Sequence, residues 1–224
     1  MANPTRGQFI TFEGGEGAGK TTQAKMLADA LDRVGVETIL TREPGGTFGA
    51  ESIRKLVLEG TDDRWSGMTE LLLMYAARLD HVEKLIKPAL ERGAWVISDR
   101  FSDSSLAYQG YARDLGADTV RKVHDVVMGG FAPDLTLVFD MDVFLSLKRV
   151  EQRASEQDES LSRFDKAGQA FHRTIREAFL DIARREPDRV KIVDADGSKP
   201  AVHARILGKL TEKYPEFAGR LNGA

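Results

Sequence analysis

Apolar positions along the chain alternate between short runs, as in buried strands, and a repeat near 3.6, as in helices. Residues 8–13 carry Phe9, Ile10 and Phe12 in a compact run that predicts a strand. Glycines crowd residues 14–19, and residues 20–34 then place Ala24, Leu27, Ala28, Leu31 and Val34 at helical spacing. Gly35 ends that helix, and residues 36–41 predict a second strand. The opening is therefore β–loop–α–β, which requires a parallel pair with a right-handed crossover. The pattern continues with a Pro- and Gly-rich loop over 42–49, a helix over 50–59 and a polar loop over 61–67. Residues 68–92 predict one long helix kinked at Pro88 and stopped by Gly93. A strand over 94–98, helices over 102–111 and 119–128, a strand over 135–139 and a helix over 144–153 follow. Residues 154–162 are polar with little to bury and predict a mobile loop. A helix over 164–185, a strand over 190–193 and a helix over 199–214 close the chain.

Five strands interleaved with helices predict an α/β fold, a parallel sheet covered on both faces. The length of 224 residues suits one domain spanning 1–224, with a small lid at about 150–164. Hydrophobic residues at 42% and charged residues at 30% are ordinary for a globular core. The net charge of −3 gives no bulk attraction to nucleic acid or to an anionic membrane. With no cysteine, disulfides, thiolate metal sites and thiol catalysis are excluded, and a reducing compartment fits. Residues 1–7 lack the apolar stretch of a signal peptide, and the longest apolar run, 71–77, is too short to span a bilayer. The expectation is a cytoplasmic protein.

The most specific chemistry lies in Gly14-Gly15-Glu16-Gly17-Ala18-Gly19-Lys20-Thr21, which fits G-x-x-x-x-G-K-[ST] between a strand and a helix. The glycines let main-chain N–H groups curl around a phosphate, and the helix N-terminus points at the same anion. In this motif Lys20 reaches the β- and γ-phosphates of a nucleotide, and the Thr21 hydroxyl binds Mg²⁺. Glu16 is out of place there, because an acid inside an anion cradle is repelled and needs a compensating donor or metal.

The cradle alone does not separate a phosphotransferase from a nucleotide switch. No N-K-x-D guanine-reading motif is present. Instead the strand over 94–98 runs into Asp99 and Arg100. At the carboxyl end of a central strand, an Asp can hold Mg²⁺ through water and an Arg can fork onto a second phosphate. Arg149, Arg153 and Arg163 cluster around the polar loop, where mobile arginines would neutralise a transferring phosphoryl group.

With these motifs in place, the sequence resembles the thymidylate kinase family, from about residue 8 to about residue 209. The resemblance is carried by Phe12-Glu13-Gly14 through Thr22, by Thr41-Arg42-Glu43-Pro44-Gly45-Gly46-Thr47, by Tyr75-Ala76-Ala77-Arg78, by Asp99-Arg100-Phe101, and by Ala107-Tyr108-Gln109-Gly110. The Arg-Glu-Pro-Gly-Gly-Thr segment is the bacterial form. The resemblance implies a three-layer P-loop fold, a homodimer, and transfer of the ATP γ-phosphoryl group to dTMP with Mg²⁺ as cofactor. It implies that Glu16 meets the acceptor's 3′-hydroxyl and that Arg54 and Arg100 clamp its 5′-phosphate. Glu43 and Pro44 would shape the loop beneath the sugar. Arg78 would donate to thymine O4, which disfavours cytosine because two donors would then face each other. Ser105 would read thymine N3, with Ser104 and Gln109 beside it, and Tyr108 would exclude a ribose 2′-hydroxyl. Arg149 would lie on the adenine of ATP, and the chain near 194–200 would complete that pocket.

Two departures from the family pattern bear on specificity. Met74 stands where the family usually has Phe, four residues before Arg78, so that both share a helix face. Gly17 stands where the eukaryotic form has an Arg, which leaves Arg153 and Arg163 to supply the missing charge. A kinase of another pyrimidine monophosphate such as dUMP, which differs by one methyl group, and a non-enzymatic nucleotide switch remain as alternatives.

Overall fold

The computed structural model describes residues 6–61, 63–157 and 161–221. Its centre is a five-stranded parallel sheet in the order β2-β3-β1-β4-β5, formed by β1 (Phe9–Gly14), β2 (Thr38–Arg42), β3 (Trp95–Asp99), β4 (Leu135–Asp140) and β5 (Val190–Asp194). All pairings are parallel, as the strand–helix alternation requires. The period of two sends neighbouring side chains to opposite faces. Ile10, Phe12, Leu135, Leu137 and Phe139 pack on α1 (Lys20–Arg33) and α9 (Lys199–Lys213). Phe9, Val96 and Val138 pack on the other face, against α3 (Gly67–His81) and α8 (Gln169–Arg185). Helices therefore cover both faces of the sheet, and β1, buried along its whole length, lies in the middle.

The remaining helices are α2 (Phe48–Leu58), α4 (Lys87–Glu91), α5 (Ser102–Ser105), α6 (Ala117–Met128) and α7 (Val143–Gln157). The expected long helix over 68–92 is not uniform: after α3 the chain widens into a π-helical turn, Val82–Ile86, before α4. Pro88 lies in the first turn of α4, so the wide turn spares its ring a clash with the preceding turn. The expected helix over 102–111 likewise passes from α5 into a π-helical stretch, Leu106–Ala112.

Two expectations near the lid are corrected. The polar run that predicts a loop from 154 is helical to Gln157, because no glycine or proline interrupts α7. Residues 158–160 of the expected lid lie outside the described residues. The helix expected from 164 begins only at Gln169. Asp165 draws the chain into a turn instead: its Oδ2 accepts from the Ser162 N–H (2.9 Å) and hydroxyl (2.6 Å). Such local side-chain bonds compete with helix formation.

Candidate active site

The carboxyl ends of β1, β2 and β3 open into a groove of ≈ 520 Å³. This is where an open parallel sheet binds ligands. One end is the phosphate loop, with Gly17, Gly19, Lys20, Thr21 and Thr22 on its wall. Gly17 adopts φ +71°, and a Cβ there would lie 2.2 Å from the Ser146 carbonyl oxygen on α7. The close seat of α7 thus excludes any side chain at the position where the eukaryotic form carries Arg. Gly14, Gly15 and Ala18 face a much smaller cavity behind the loop rather than the groove.

Lys20, buried at the start of α1, donates to the carbonyls of Gly14 (3.2 Å) and Gly15 (2.6 Å). Burial and the neighbouring Arg100 bring its ammonium down to about 8. An incoming polyphosphate would reverse that fall. The Thr21 hydroxyl donates to Asp99 Oδ2, so the two expected metal ligands meet at the end of β3. They form a small set of hard oxygens, as Mg²⁺ prefers when phosphates complete its shell. Arg149, Arg153 and Lys199 line the same end.

The other end is lined by Arg42, Glu43, Pro44, Arg54, Met74, Ser104, Tyr108 and Gln109. Arg100 joins the two ends. Its φ of +75° costs a non-glycine residue about 1 kcal/mol. Its N–H bonds to Phe12 O (2.9 Å), and its guanidinium donates to Gly14 O (3.1 Å), Ser104 Oγ (3.0 Å) and Glu16 Oε1 (2.8 Å). Tyr108 donates to the same Glu16 oxygen (2.9 Å). Burial alone would raise the Glu16 carboxyl, but Arg100, Lys20 and Tyr108 outweigh it and hold it at about 2. The charge of Glu16 is therefore compensated by protein donors. Arg54 donates to Pro44 O (2.7 Å), beneath the sugar-shaping loop. Burial lowers its basicity, and Arg42 adds to the fall.

Behind this wall lies a buried polar layer that the sequence reading does not resolve. Arg78 is 1% exposed and does not line the groove. Its Nε donates to Glu43 Oε2 (2.7 Å), Nη1 to Ser105 Oγ (3.0 Å) and Nη2 to Phe101 O (2.9 Å). Ser105 is likewise buried away from the groove. Glu43 Oε1 also meets His81 Nδ1 (3.0 Å), whose Nε2 meets Thr41 Oγ1 (2.8 Å). Glu13 accepts from the N–H groups of Phe101 (2.7 Å) and Ser104 (3.2 Å) and from the Ser104 hydroxyl (2.6 Å). It thereby shapes the turn that presents Arg100. Burial, reinforced by Asp103, pushes the Glu13 carboxyl up to about 7.

The two arginines expected at the lid separate. Arg153 lines the groove, whereas Arg163 is buried, donating Nε to Val57 O (2.6 Å) and Nη2 to Glu70. In this conformation Glu70 and the carbonyl of Val57 capture Arg163, and it does not face the transferring group. The sequence carries a signal for three further residues of this layer and its rim: Arg42 and Glu13 lie within the motifs that carry the family resemblance, and Glu70 shares one buried face of α3 with Met74 and Arg78, at i, i+4, i+8 spacing.

A family model described as thymidylate kinase matches residues 12–206. A thymidylate kinase of Caulobacter vibrioides is 51% identical over 209 residues, covering 93% of this chain and 98% of that protein. One from Chromohalobacter salexigens is 45% identical, covering 96% of this chain and 100% of that protein. The crystal structure of thymidylate kinase from Ehrlichia chaffeensis superposes with a TM-score of 0.72 at 33% identity, covering 92% of this chain and 99% of that one. With the P-loop, the guanidinium-lined groove and the parallel sheet between them, these similarities place the chain in the thymidylate kinase family.

Proposed function

We propose that the chain transfers the γ-phosphoryl group of ATP to dTMP, giving dTDP. The observation that carries this reading is one continuous groove with a phosphate loop at one end and Arg42, Arg54 and Arg100 at the other. Two anions can meet there end to end, and a nucleotide switch has no use for the second set of cations. Family membership favours dTMP over the other acceptors.

The chemistry needs no covalent intermediate. An oxygen of the acceptor phosphate attacks the γ-phosphorus in line, and the chain contributes position and charge. Lys20 leaves the carbonyls of Gly14 and Gly15 for the donor phosphates. Arg100 and Arg54 hold the acceptor phosphate, Glu16 the sugar 3′-hydroxyl, and Arg153 approaches from the lid. Arg149, Lys199 and the residues before it receive the adenine. Thr21 and Asp99 would hold Mg²⁺, which would supply positive charge to offset that of the phosphates. Lid closure keeps water from the γ-phosphate.

At the base, the groove favours a different reader for N3 than the family resemblance does. Ser105 Oγ already accepts from Arg78, whereas Gln109 lines the groove and its Oε1 has no partner among the described residues. Gln109 is the better acceptor for the imide N3–H, with Met74 packed on the ring and the Arg78–Glu43 pair behind the O4 edge.

We also propose a cytoplasmic homodimer. α3 and α6 pack on one another and expose Met68, Leu72 and Val126 to solvent. Among the described residues no helix is long and apolar enough to cross a membrane. The test of function is to supply ATP, Mg²⁺ and each nucleoside monophosphate in turn and measure diphosphate formation. Turnover should be fastest with dTMP, lower with dUMP and negligible with purines. Nucleotide binding without any acceptor-dependent ATP consumption would return the chain to the switch class.

A further inference from the structure

Glu70 is fully buried on α3, beneath the acceptor end of the groove. No step of the mechanism uses it. Its Oε2 accepts from Arg163 and lies 3.7 Å from Arg113, while its Oε1 accepts from Gln109 Nε2 (2.7 Å). The polarity of that last bond has a consequence. A carboxylate facing two guanidinium groups can only accept, so it binds the NH₂ end of the Gln109 amide. The carbonyl end, Oε1, is left buried without a partner among the described residues, in a side chain that lines the groove. A buried amide oxygen without a partner is costly, and a ligand N–H would satisfy it.

We propose that Glu70 is the positioning residue that sets the hydrogen-bonding polarity of the groove wall. It locks Gln109 as an acceptor and so selects a base that presents an N–H, such as thymine or uracil, over cytosine, whose N3 is itself an acceptor. Arg163 belongs to this device rather than to phosphoryl transfer. The proposal rests on the reading that places the acceptor base beside Gln109. With Glu70 replaced by Gln, residue 70 can donate or accept, and the Gln109 amide is free to present either end. A site built for a donor N–H then loses its penalty against the wrong edge.

The experiment compares dTMP, dCMP and N3-methyl-dTMP, as substrates or as competitive inhibitors, in the wild type and in Glu70→Gln. Because Glu70→Gln removes a carboxylate to which the buried Arg163 donates, the double variant Glu70→Gln/Arg163→Gln is read alongside it. In the wild type, N3-methyl-dTMP should bind at least about 100-fold more weakly than dTMP. Glu70→Gln should raise KM for dTMP about 10-fold, with kcat within about threefold of wild type. In both variants the dTMP:dCMP preference should fall about 10-fold, a ratio that a merely structural loss would leave unchanged. If the wild type accepts N3-methyl-dTMP as well as dTMP, the placement of the base at Gln109 fails and the proposal fails with it. If it rejects N3-methyl-dTMP but both variants keep the wild-type dTMP:dCMP ratio, the base is placed correctly and the assignment of Glu70 alone is overturned.

Discussion

Arg100 Nη2 lies 2.8 Å from Glu16 Oε1, across the seam between the phosphate loop and the turn after β3. The pair gives an acid in an anion cradle its counter-charge and holds Arg100 where two phosphates would meet. The Glu16 carboxyl is depressed to about 2, so its stabilising charge is present above the unfolded value of 4.5 and lost as pH falls through about 2. Glu16→Gln should therefore lower the stability of the ligand-free protein at pH 7 by about 1.5–3 kcal/mol, several degrees in Tm. The deficit should shrink below pH 4. It should also lower kcat/KM for dTMP. An unchanged Tm at pH 7 would show that the pair contributes nothing to the fold.

Lys20 makes a prediction about pH. In the ligand-free protein its ammonium deprotonates near 8, and bound phosphate would hold the proton on. The profile of kcat/KM for ATP reports the free enzyme, so it should fall above pH 8, while kcat stays level to higher pH. Lys20→Met should cost about three orders of magnitude in kcat, because a fixed cation at the transferring phosphoryl group is lost. Turnover near the wild-type rate in that variant would remove Lys20 from the chemistry.

Glu13 inverts the usual acid behaviour. Its carboxyl is raised from 4.5 to about 7, chiefly by burial. Between those values the folded protein binds more protons than the unfolded chain, so stability falls as pH rises from 4.5 to 7 and is level above. Glu13→Gln keeps an oxygen for the N–H groups of Phe101 and Ser104 and has no proton to release. Denaturation curves at intervals from pH 4.5 to 8 should show a slope in the wild type that is absent in Glu13→Gln. Parallel curves would mean that Glu13 does not titrate in this range.

The phosphate end of the site was legible in the sequence because its groups are main-chain amides and a lysine at fixed spacing. Gly14 to Thr21 must follow a strand and open a helix, and they do. The acceptor end was legible as a set of residues but not as a geometry. Nothing in the spacing of Arg78 and Ser105 distinguishes a side chain in the groove from one a layer behind it. That depends on Glu43, 35 residues away in sequence, reaching Arg78. The burial of Arg163 is hidden from the sequence for the same reason, since Glu70, which accepts from its guanidinium, is 93 residues distant. The strands, the helices and the faces they bury follow from local periodicity. Pairings of buried charge across the fold do not.

Met74 stands on the groove wall, 7% exposed, on the helix face it shares with Arg78. A thioether can lie on a pyrimidine ring, but an aromatic ring adds about 0.5–1.5 kcal/mol of oriented contact. Met74→Phe should lower KM for dTMP by roughly 3- to 10-fold, with little change in kcat. A rise in KM would mean that the wall around residue 74 is already filled and cannot accept the larger ring.

Arg78 is the hardest residue in the site to remove, since it is buried in the core directly behind the groove wall. Its guanidinium is the buried partner of Glu43, and Tyr75 and Phe101 flank it at 4.6 and 5.1 Å. Truncation leaves the Glu43 carboxylate buried with His81 as its remaining side-chain partner among the described residues, a loss of about 3–5 kcal/mol. Arg78→Ala should therefore lower Tm by roughly 6–20 °C, besides weakening dTMP binding. The double variant Arg78→Met/Glu43→Gln removes both charges and should recover most of the Tm while leaving KM for dTMP high. Thermal melts and steady-state kinetics on the two variants separate the effects. Should the double variant regain wild-type KM together with its stability, Arg78 would be a core residue with no part in reading the base.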